Sequence, residues 1–280
     1  MLGQQVSKTA IESGLNVLQI SRSTNPLCNF PKQQFEDLSE SIDLGPEDWL
    51  VNCVGWIPQK STLNEQRDAA AAFALNAFLP EAISRARNQS GFNWVQIATD
   101  CVFSGLRGEY KEDDNKDAQD LYGQTKIAGE EKSNGAIQIR CSIVGPDLRS
   151  SAGLFSWFQA ESKKGPLPGF VDHLWNGVTT KIFAKLVVGM VESKFVETGS
   201  WHWAPRDEVS KFELLTCFAQ KLALPKTIVY PQQSKDPRNR TLSTLYESQS
   251  SFFWNLAGYA TPPSVAEMVE DMDVYRGGML

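Results

Sequence analysis

An α/β fold, a doubly wound parallel sheet with a smaller C-terminal lobe, follows from three observations. Short strands and helices alternate through the first half of the chain, which is the signature of parallel βαβ units. Those strands are apolar without polar alternation, as expected for a sheet covered on both faces. After about Gly145 the rhythm breaks, and proline, glycine and aromatic residues crowd positions 146–178. The reading is a sheet domain over residues 1–145 and a mixed region, mainly a lobe, over 146–280.

The elements follow in order. Gln4 to Ser13 reads as a helix, with Val6, Ala10 and Ile11 near helical spacing and a stop at Gly14. Asn16 to Ile20 reads as a short strand, and Ser21 to Pro31 as a loop rich in Asn and Pro. Trp49 to Val54 is an apolar strand ending at Gly55. Asn64 to Asn88 is a long helix with an alanine-rich face. Asn93 to Ala98 is a strand with a polar turn at Thr99-Asp100, Leu121 to Lys132 a helix and Ala136 to Arg140 a strand. A helix follows at Lys181 to Glu192, and from Pro205 the chain is helix-rich and irregular. Ligands of such sheets sit at the carboxyl ends of the strands, so the lobe is expected to close over that edge.

Composition narrows the function. The 280 residues are 41% hydrophobic and 21% charged, which excludes a disordered chain, a coiled coil and a collagen-like fibre. A net charge of −6 disfavours nonspecific binding to nucleic acid or an anionic membrane. Any phosphate must be held by a local site. The five cysteines have no C-x-x-C pair, and no metal site is expected. His173 and His202 are assigned packing or surface roles. The longest uncharged, apolar-looking run, Ala69 to Pro80, is too short to span a bilayer, which takes about 20 residues. The N-terminus has no basic start and no apolar h-region, so the expectation is a soluble, cytoplasmic protein.

Chemistry concentrates in Tyr122-Gly-Gln-Thr-Lys126. Tyr and Lys four apart share a helix face. A free phenol has a pKa near 10, and an ammonium beside it favours the phenolate. Such a Tyr can exchange a proton with a substrate oxygen. The plain alternative is a solvated i,i+4 pair. Thr99, at a strand's carboxyl end, is a second candidate for the same oxygen, or else a turn or cap residue. Asn52-Cys-Val54-Gly55 ends the preceding strand with a glycine that admits a ligand or simply a tight turn. Asn76, inside the Ala-rich helix, needs partners if buried.

These residues resemble an extended short-chain dehydrogenase/reductase, specifically the dTDP-4-dehydrorhamnose reductase family. The resemblance rests on I-A-T-D-C-V-F-S-G at 97–105, G-E-Y-K-E-D-D at 108–114 and Y-G-Q-T-K-I-A-G-E at 122–130, with L-N-A-F-L-P at 75–80 and I-R-C-S-I-V-G at 139–145. It runs from Gly3 to about Trp203 and is loose after 205. It implies reduction of the 4-keto group of a nucleotide-linked deoxysugar, for deoxysugar or surface-polysaccharide synthesis. Thr99, Tyr122 and Lys126 fall on the catalytic positions, Lys126 also reaching the nicotinamide ribose, and Asn76 on a structural or relay position. Residues 1–145 become an NAD(P)-binding domain and the lobe a site for a nucleotide-diphosphate sugar.

NADPH is the expected cofactor, with NADH as the alternative, because the turn Ser21-Arg22-Ser23 offers Arg22 to a 2′-phosphate. Asp37 and Leu38 resemble the adenine-side contact, and Gly3, Asn52, Val54, Gly55 and Asn76 complete the cofactor set. Asp100, Val102, Phe103, Trp175, Asn176 and Arg238 are the substrate-side candidates, the last because an Arg fork matches phosphate oxygens. A solvated basic turn is the alternative for Arg238 and Arg240. A homodimer is the default oligomer.

Two departures stand out. The family's opening T-G-x-x-G-x-L-G is represented only by its last glycine, Gly3, so two strands are expected to lack a ladder partner, and the natural start is expected roughly ten residues upstream. Trp56-Ile-Pro-Gln59 also replaces the small residues usual there. Two other readings remain: an epimerase or dehydratase of the same fold, and a non-catalytic nucleotide-binding regulatory subunit.

Overall fold

The computed structural model describes residues 1–20, 43–58, 65–147 and 153–274. Helix α1 (Leu2–Glu12) turns Leu2, Val6 and Ala10 inward. It is followed by β1 (Trp49–Asn52), α2 (Glu65–Phe73), a π-helical turn (Ala74–Phe78) and α3 (Leu79–Ser90). Then come β2 (Asn93–Ile97), α4 (Leu121–Lys132), β3 (Ile137–Arg140), β4 (Ile143–Val144) and α5 (Leu154–Glu161). The remainder contains β5 (Leu167–Phe170), β6 (His173–Trp175), β7 (Val178–Thr179), α6 (Thr180–Glu192), β8 (Gly199–His202), β9 (Val209–Ser210) and α7 (Lys211–Lys221). It closes with β10 (Val229–Gln232), β11 (Arg238–Asn239), α8 (Glu247–Leu256) and α9 (Val265–Glu270).

The main sheet has the order β1-β2-β3-β8, and every pairing in it is parallel. Val95, Ile137 and Ile139 are buried in it, as a sheet covered on both faces requires. The chain crosses the expected division at 145 and returns: β8 pairs with β3 from Ile137↔Gly199 to Arg140↔His202, and α6 packs against α1. A second, three-stranded sheet of order β11-β6-β9 belongs to the lobe.

Two elements differ from the sequence reading. Asn16 to Ile20 is not a strand, and Leu18 is 82% exposed. A strand needs a ladder of backbone partners, and among the described residues this segment has none. The long helix over Asn64 to Asn88 is interrupted by the π turn centred on Asn76. Such turns push one carbonyl out of the helical ladder.

A buried polar network joins the sheet to the C-terminal region. The Arg140 guanidinium donates to both oxygens of Glu130, at 2.8 Å from Nη2 and 3.1–3.2 Å from Nε. Its Nη1 donates to the Glu112 carbonyl at 3.1 Å and meets His202 Nε2 at 3.2 Å. Arginine has no acceptor to offer, so Nε2 accepts and His202 carries its proton on Nδ1. From there it donates to the carbonyls of Ser243 at 2.8 Å and Tyr110 at 3.0 Å. The Glu112 carboxylate accepts from the backbone of His202 and Leu245 and from the Thr244 hydroxyl.

Burial, followed by the Arg140 charge and opposed by Glu112, holds the His202 pKa below its usual value. Protonation would set a new N–H against Arg140. The stability linked to His202 is therefore present above the ordinary histidine range near 6.5 and is lost as pH falls below it. Denaturant titrations at pH 7.5 and pH 5.0 should show this fall, and His202→Gln should flatten it; an equal slope in the variant would exclude His202 as its source. Arg140→Met leaves the buried Glu130 carboxylate with only the longer Lys116 pair, at 3.5 Å, and should cost up to about 3–5 kcal/mol of unfolding free energy in the same titration.

Candidate active site

The site forms where β1 and β2 end. Past β2, Thr99 caps a short 3₁₀ turn, Asp100–Val102, its hydroxyl oxygen accepting from the Cys101 N–H at 3.2 Å. The same hydroxyl donates to Asp100 Oδ1 at 3.1 Å. Asp120 caps α4 by accepting from the Gly123 N–H at 2.8 Å. The first turn of α4 thus lies on the 3₁₀ turn, so closely that a Cβ at Gly123 would stand 2.6 Å from the Cys101 carbonyl oxygen. This contact carries Tyr122 to Thr99.

Asn76 links the walls. Its Oδ1 accepts from the Trp56 N–H at 2.9 Å, while Nδ2 donates to the Trp56 carbonyl at 3.2 Å and to Thr125 Oγ1 at 3.1 Å. The π turn presses the Asn76 carbonyl onto α4, where a Cβ at Gly129 would fall 1.8 Å from that oxygen. Asn52 works beside it, donating to Gln96 at 2.8 Å and accepting from the Val54 N–H at 3.1 Å, which bends the chain out of β1. Val54 stays 40% exposed, and Gly55 sits against the Asn76 side chain. Gly3 lies in the first turn of α1 against Cys53.

Electrostatics corrects one expectation. Burial raises the Tyr122 pKa above the ordinary phenol value, with Cys101 and Asp100 adding to the rise and Thr99 opposing it. Lys126 does not reverse this. Its ammonium donates to the Ile97 carbonyl at 2.7 Å, and burial, opposed by Glu130, brings its pKa down to about 8. Burial also raises the Asp100 pKa against the pull of Arg240, Thr99 and Lys211. The Cys101 and Cys53 thiols are pushed up to about 12, so both remain protonated near neutral pH.

The other candidates divide. Val102 and Phe103 have no exposed surface, and Phe103 stacks on Tyr110 with ring centres 4.3 Å apart, so they support the core and do not line the cleft. Trp175 is buried with its indole donating to Ser142 at 2.8 Å. Asn176 spends both ends of its amide on the backbone of Leu242. Arg238 pairs with Asp236, whereas Arg240 faces the site: it donates to the Phe103 carbonyl at 2.8 Å and lies 3.8 Å from Cys101 Sγ. Arg22, Asp37 and Leu38 lie outside the described residues. Lys211, which sequence reading passed over, interacts with Asp100 and Cys101 from the start of α7.

Residues 1–271 match the family described as the RmlD substrate binding domain. The chain belongs to this family. Among curated relatives, the methionine adenosyltransferase 2 subunit beta of Xenopus laevis is 25% identical over 174 residues, covering 57% of this chain and 51% of that protein. The chain thus spans about half the length of the curated relatives of this kind. A dTDP-4-dehydrorhamnose reductase of Streptomyces griseus is 35% identical over 82 residues, 29% of this chain and 26% of that protein. The dTDP-4-dehydrorhamnose reductase of Bacillus anthracis, solved in complex with NADP, superposes with a TM-score of 0.76 at 18% identity, covering 97% of this chain and 94% of that one. The fold is therefore the Rossmann-like fold of these reductases. Among the described residues no cluster of metal-ligating side chains occurs, and no helix is long and apolar enough to cross a membrane.

The donor set fits the nicotinamide end of a dinucleotide. Among the described residues one of the three N–H donors on Lys126 is used, by Ile97, and the other two would serve the ribose hydroxyls of such a group. Asn76→Ala would unpair the Trp56 N–H and carbonyl and remove the bond that the Thr125 hydroxyl accepts. It should lower the unfolding free energy by about 2–4 kcal/mol in denaturant titration, and a loss below 0.5 kcal/mol, within about the range of a surface change, would refute the linking role.

Proposed function

We propose that this protein is an NADPH-dependent reductase of a keto group on a nucleotide-linked deoxysugar. The observation that supports this most is the meeting of Thr99, Asp100, Tyr122 and Lys126 at the carboxyl ends of β1 and β2 in a chain of this family. When bound, the cofactor supplies hydride to the carbonyl carbon. Lys126 and the loop Cys53–Trp56 would hold its nicotinamide half, and Arg22, on the expectation from its sequence position, would pair with the 2′-phosphate.

The chain's own part is proton chemistry. A high phenol pKa keeps Tyr122 protonated in the resting state, ready to give its proton to the sugar oxygen as negative charge develops there. Thr99 holds its hydroxyl between Asp100 and Tyr122 and steadies the phenol's oxygen. The Lys126 charge then favours the phenolate left behind.

Tyr122→Phe should lower kcat on dTDP-4-dehydrorhamnose by about 10²–10⁴-fold while NADPH binding, read by tryptophan fluorescence, stays within twofold. Turnover that survives this change excludes the mechanism. With the Lys126 pKa at about 8, the charge that stabilises the phenolate is present below that value and lost above it. In the direction of reduction, kcat should decline as pH rises through 8.

A second reading is favoured by the curated relatives named as methionine adenosyltransferase 2 subunit beta: a regulatory subunit that keeps the nucleotide site. On that reading Tyr122→Phe changes nothing, and the chain alters the activity of a methionine adenosyltransferase catalytic subunit added to it.

A further inference from the structure

Arg240 crosses from the C-terminal segment to the turn that holds Thr99, and the residues on either side of it are fastened. The Asn239 N–H donates to the Gly105 carbonyl at 2.8 Å. The Asn239 side chain accepts from the Thr241 N–H at 3.0 Å and from its hydroxyl at 2.7 Å. The Thr241 carbonyl accepts from the Tyr110 N–H at 2.9 Å, and its hydroxyl oxygen from the Glu109 N–H at 3.0 Å. Asn176, just past β6, holds the backbone of Leu242. The Arg240 stem runs over Gly105, where φ is +83° and a Cβ would stand 2.8 Å from Arg240 Cγ. Glycine serves twice there, for the left-handed backbone and for the passage of the side chain.

The head of this side chain spans two elements. Nε donates to the Phe103 carbonyl at 2.8 Å, Nη1 lies 3.8 Å from Cys101 Sγ, and Nη2 lies 3.8 Å from Asp120 Oδ2. Phe103 closes the 3₁₀ turn that Thr99 opens, and Asp120 caps the helix that carries Tyr122. The Phe103 bond is short and charge-assisted. The Asp120 pair is long and half exposed, so it contributes little stability by itself. Its consequence is geometric. A guanidinium is planar and holds its five N–H donors in a fixed fork, so acceptors bound to it are held at a set separation. Thr99 in turn bonds the Tyr122 phenol across the same gap.

We propose that Arg240 is a positioning residue for the proton transfer, holding the Thr99 turn and the start of α4 at the separation that sets the Thr99 hydroxyl on the Tyr122 phenol. The proposal rests on the reductase reading above. Among the described residues the guanidinium bonds neither Thr99 nor Tyr122, so it acts through the two elements that carry them. A misplacement of about 1 Å at a reacting group costs about 100-fold in rate, so a small drift between turn and helix is enough. Because the fork arrives from the C-terminal segment, the Thr99–Tyr122 geometry is complete only while that segment is docked.

The test is steady-state reduction of dTDP-4-dehydrorhamnose by NADPH with the full chain, for the wild type, Arg240→Met, Arg240→Lys and Lys235→Met, beside amide hydrogen exchange of each. Arg240→Met should lower kcat about 10–100-fold, with KM for both substrates within about threefold. Arg240→Lys keeps the charge and a donor but not the fork, and should recover at least about threefold of the lost kcat. Lys235→Met removes a positive charge from an exposed position of the same segment and should change neither constant. The Cys101 and Gly123 amides, which donate to Thr99 and Asp120, should exchange at least about tenfold faster in Arg240→Met, while the β3 amides stay within about threefold. A raised KM for the sugar nucleotide at unchanged kcat would make Arg240 a substrate contact and overturn the proposal. So would an unchanged kcat, a lysine variant no better than the methionine one, or faster exchange spread evenly over the chain. If the wild type does not reduce dTDP-4-dehydrorhamnose, the functional reading fails on this substrate, and exchange at Cys101 and Gly123 still decides whether Arg240 holds the two elements together.

Discussion

The side chain of Asn76 is the joint on which the site depends. One amide spans two walls: the loop that leaves β1 and the helix that carries Tyr122 and Lys126. Satisfying it requires the π turn, because a regular helix would not turn this carbonyl and side chain toward both neighbours at once. The π turn in turn requires Gly129, since any side chain there would strike the displaced carbonyl. Gly123 plays the matching part at the other end of α4, letting it close on the turn that holds Thr99. Three residues with little chemistry of their own thus set the spacing of the three that have it.

A second constraint binds the lobe to the sheet. Arg140 lies on a central strand, yet its partners come from α4, from the Glu112 region and from β8. Glu112 reaches onward to Thr244 and Leu245. Buried charges of this kind contribute little net stability against an apolar filling, but removing one member is expensive. Their consequence here is registration. The C-terminal segment that carries Arg240 is held in one position relative to β2 and α4, and Arg240 thereby reaches Asp100 and Cys101.

Charge in the site follows from burial more than from pairing. Tyr122, Asp100 and Cys101 are all pushed toward their neutral forms, and Lys126 is drawn toward its own. A pocket in this condition resists separated charge until a ligand supplies compensating polarity. Among the described residues the Lys126 ammonium makes one hydrogen bond, to the Ile97 carbonyl, and so retains donors of its own.

Much was readable from local pattern. Tyr122 and Lys126 share a helix face because four residues make about one turn, and Thr99 stands at a strand end because the apolar run stops there. The parallel order of β1, β2 and β3 follows from strands separated by helices. What the pattern lacked was any view across the chain. Asn16 to Ile20 has strand composition, but a strand exists only beside another. Trp175, Asn176 and Arg238 have the chemistry of ligand contacts, but Ser142, Leu242 and Asp236 had already engaged them. No motif singles out Lys211, and only the fold brings it within electrostatic reach of Asp100. Local sequence determined which residues can exchange protons and on which elements they ride. Tertiary structure alone decided which polar groups remain unsatisfied, because a hydrogen bond already made within the fold is no longer available to a ligand.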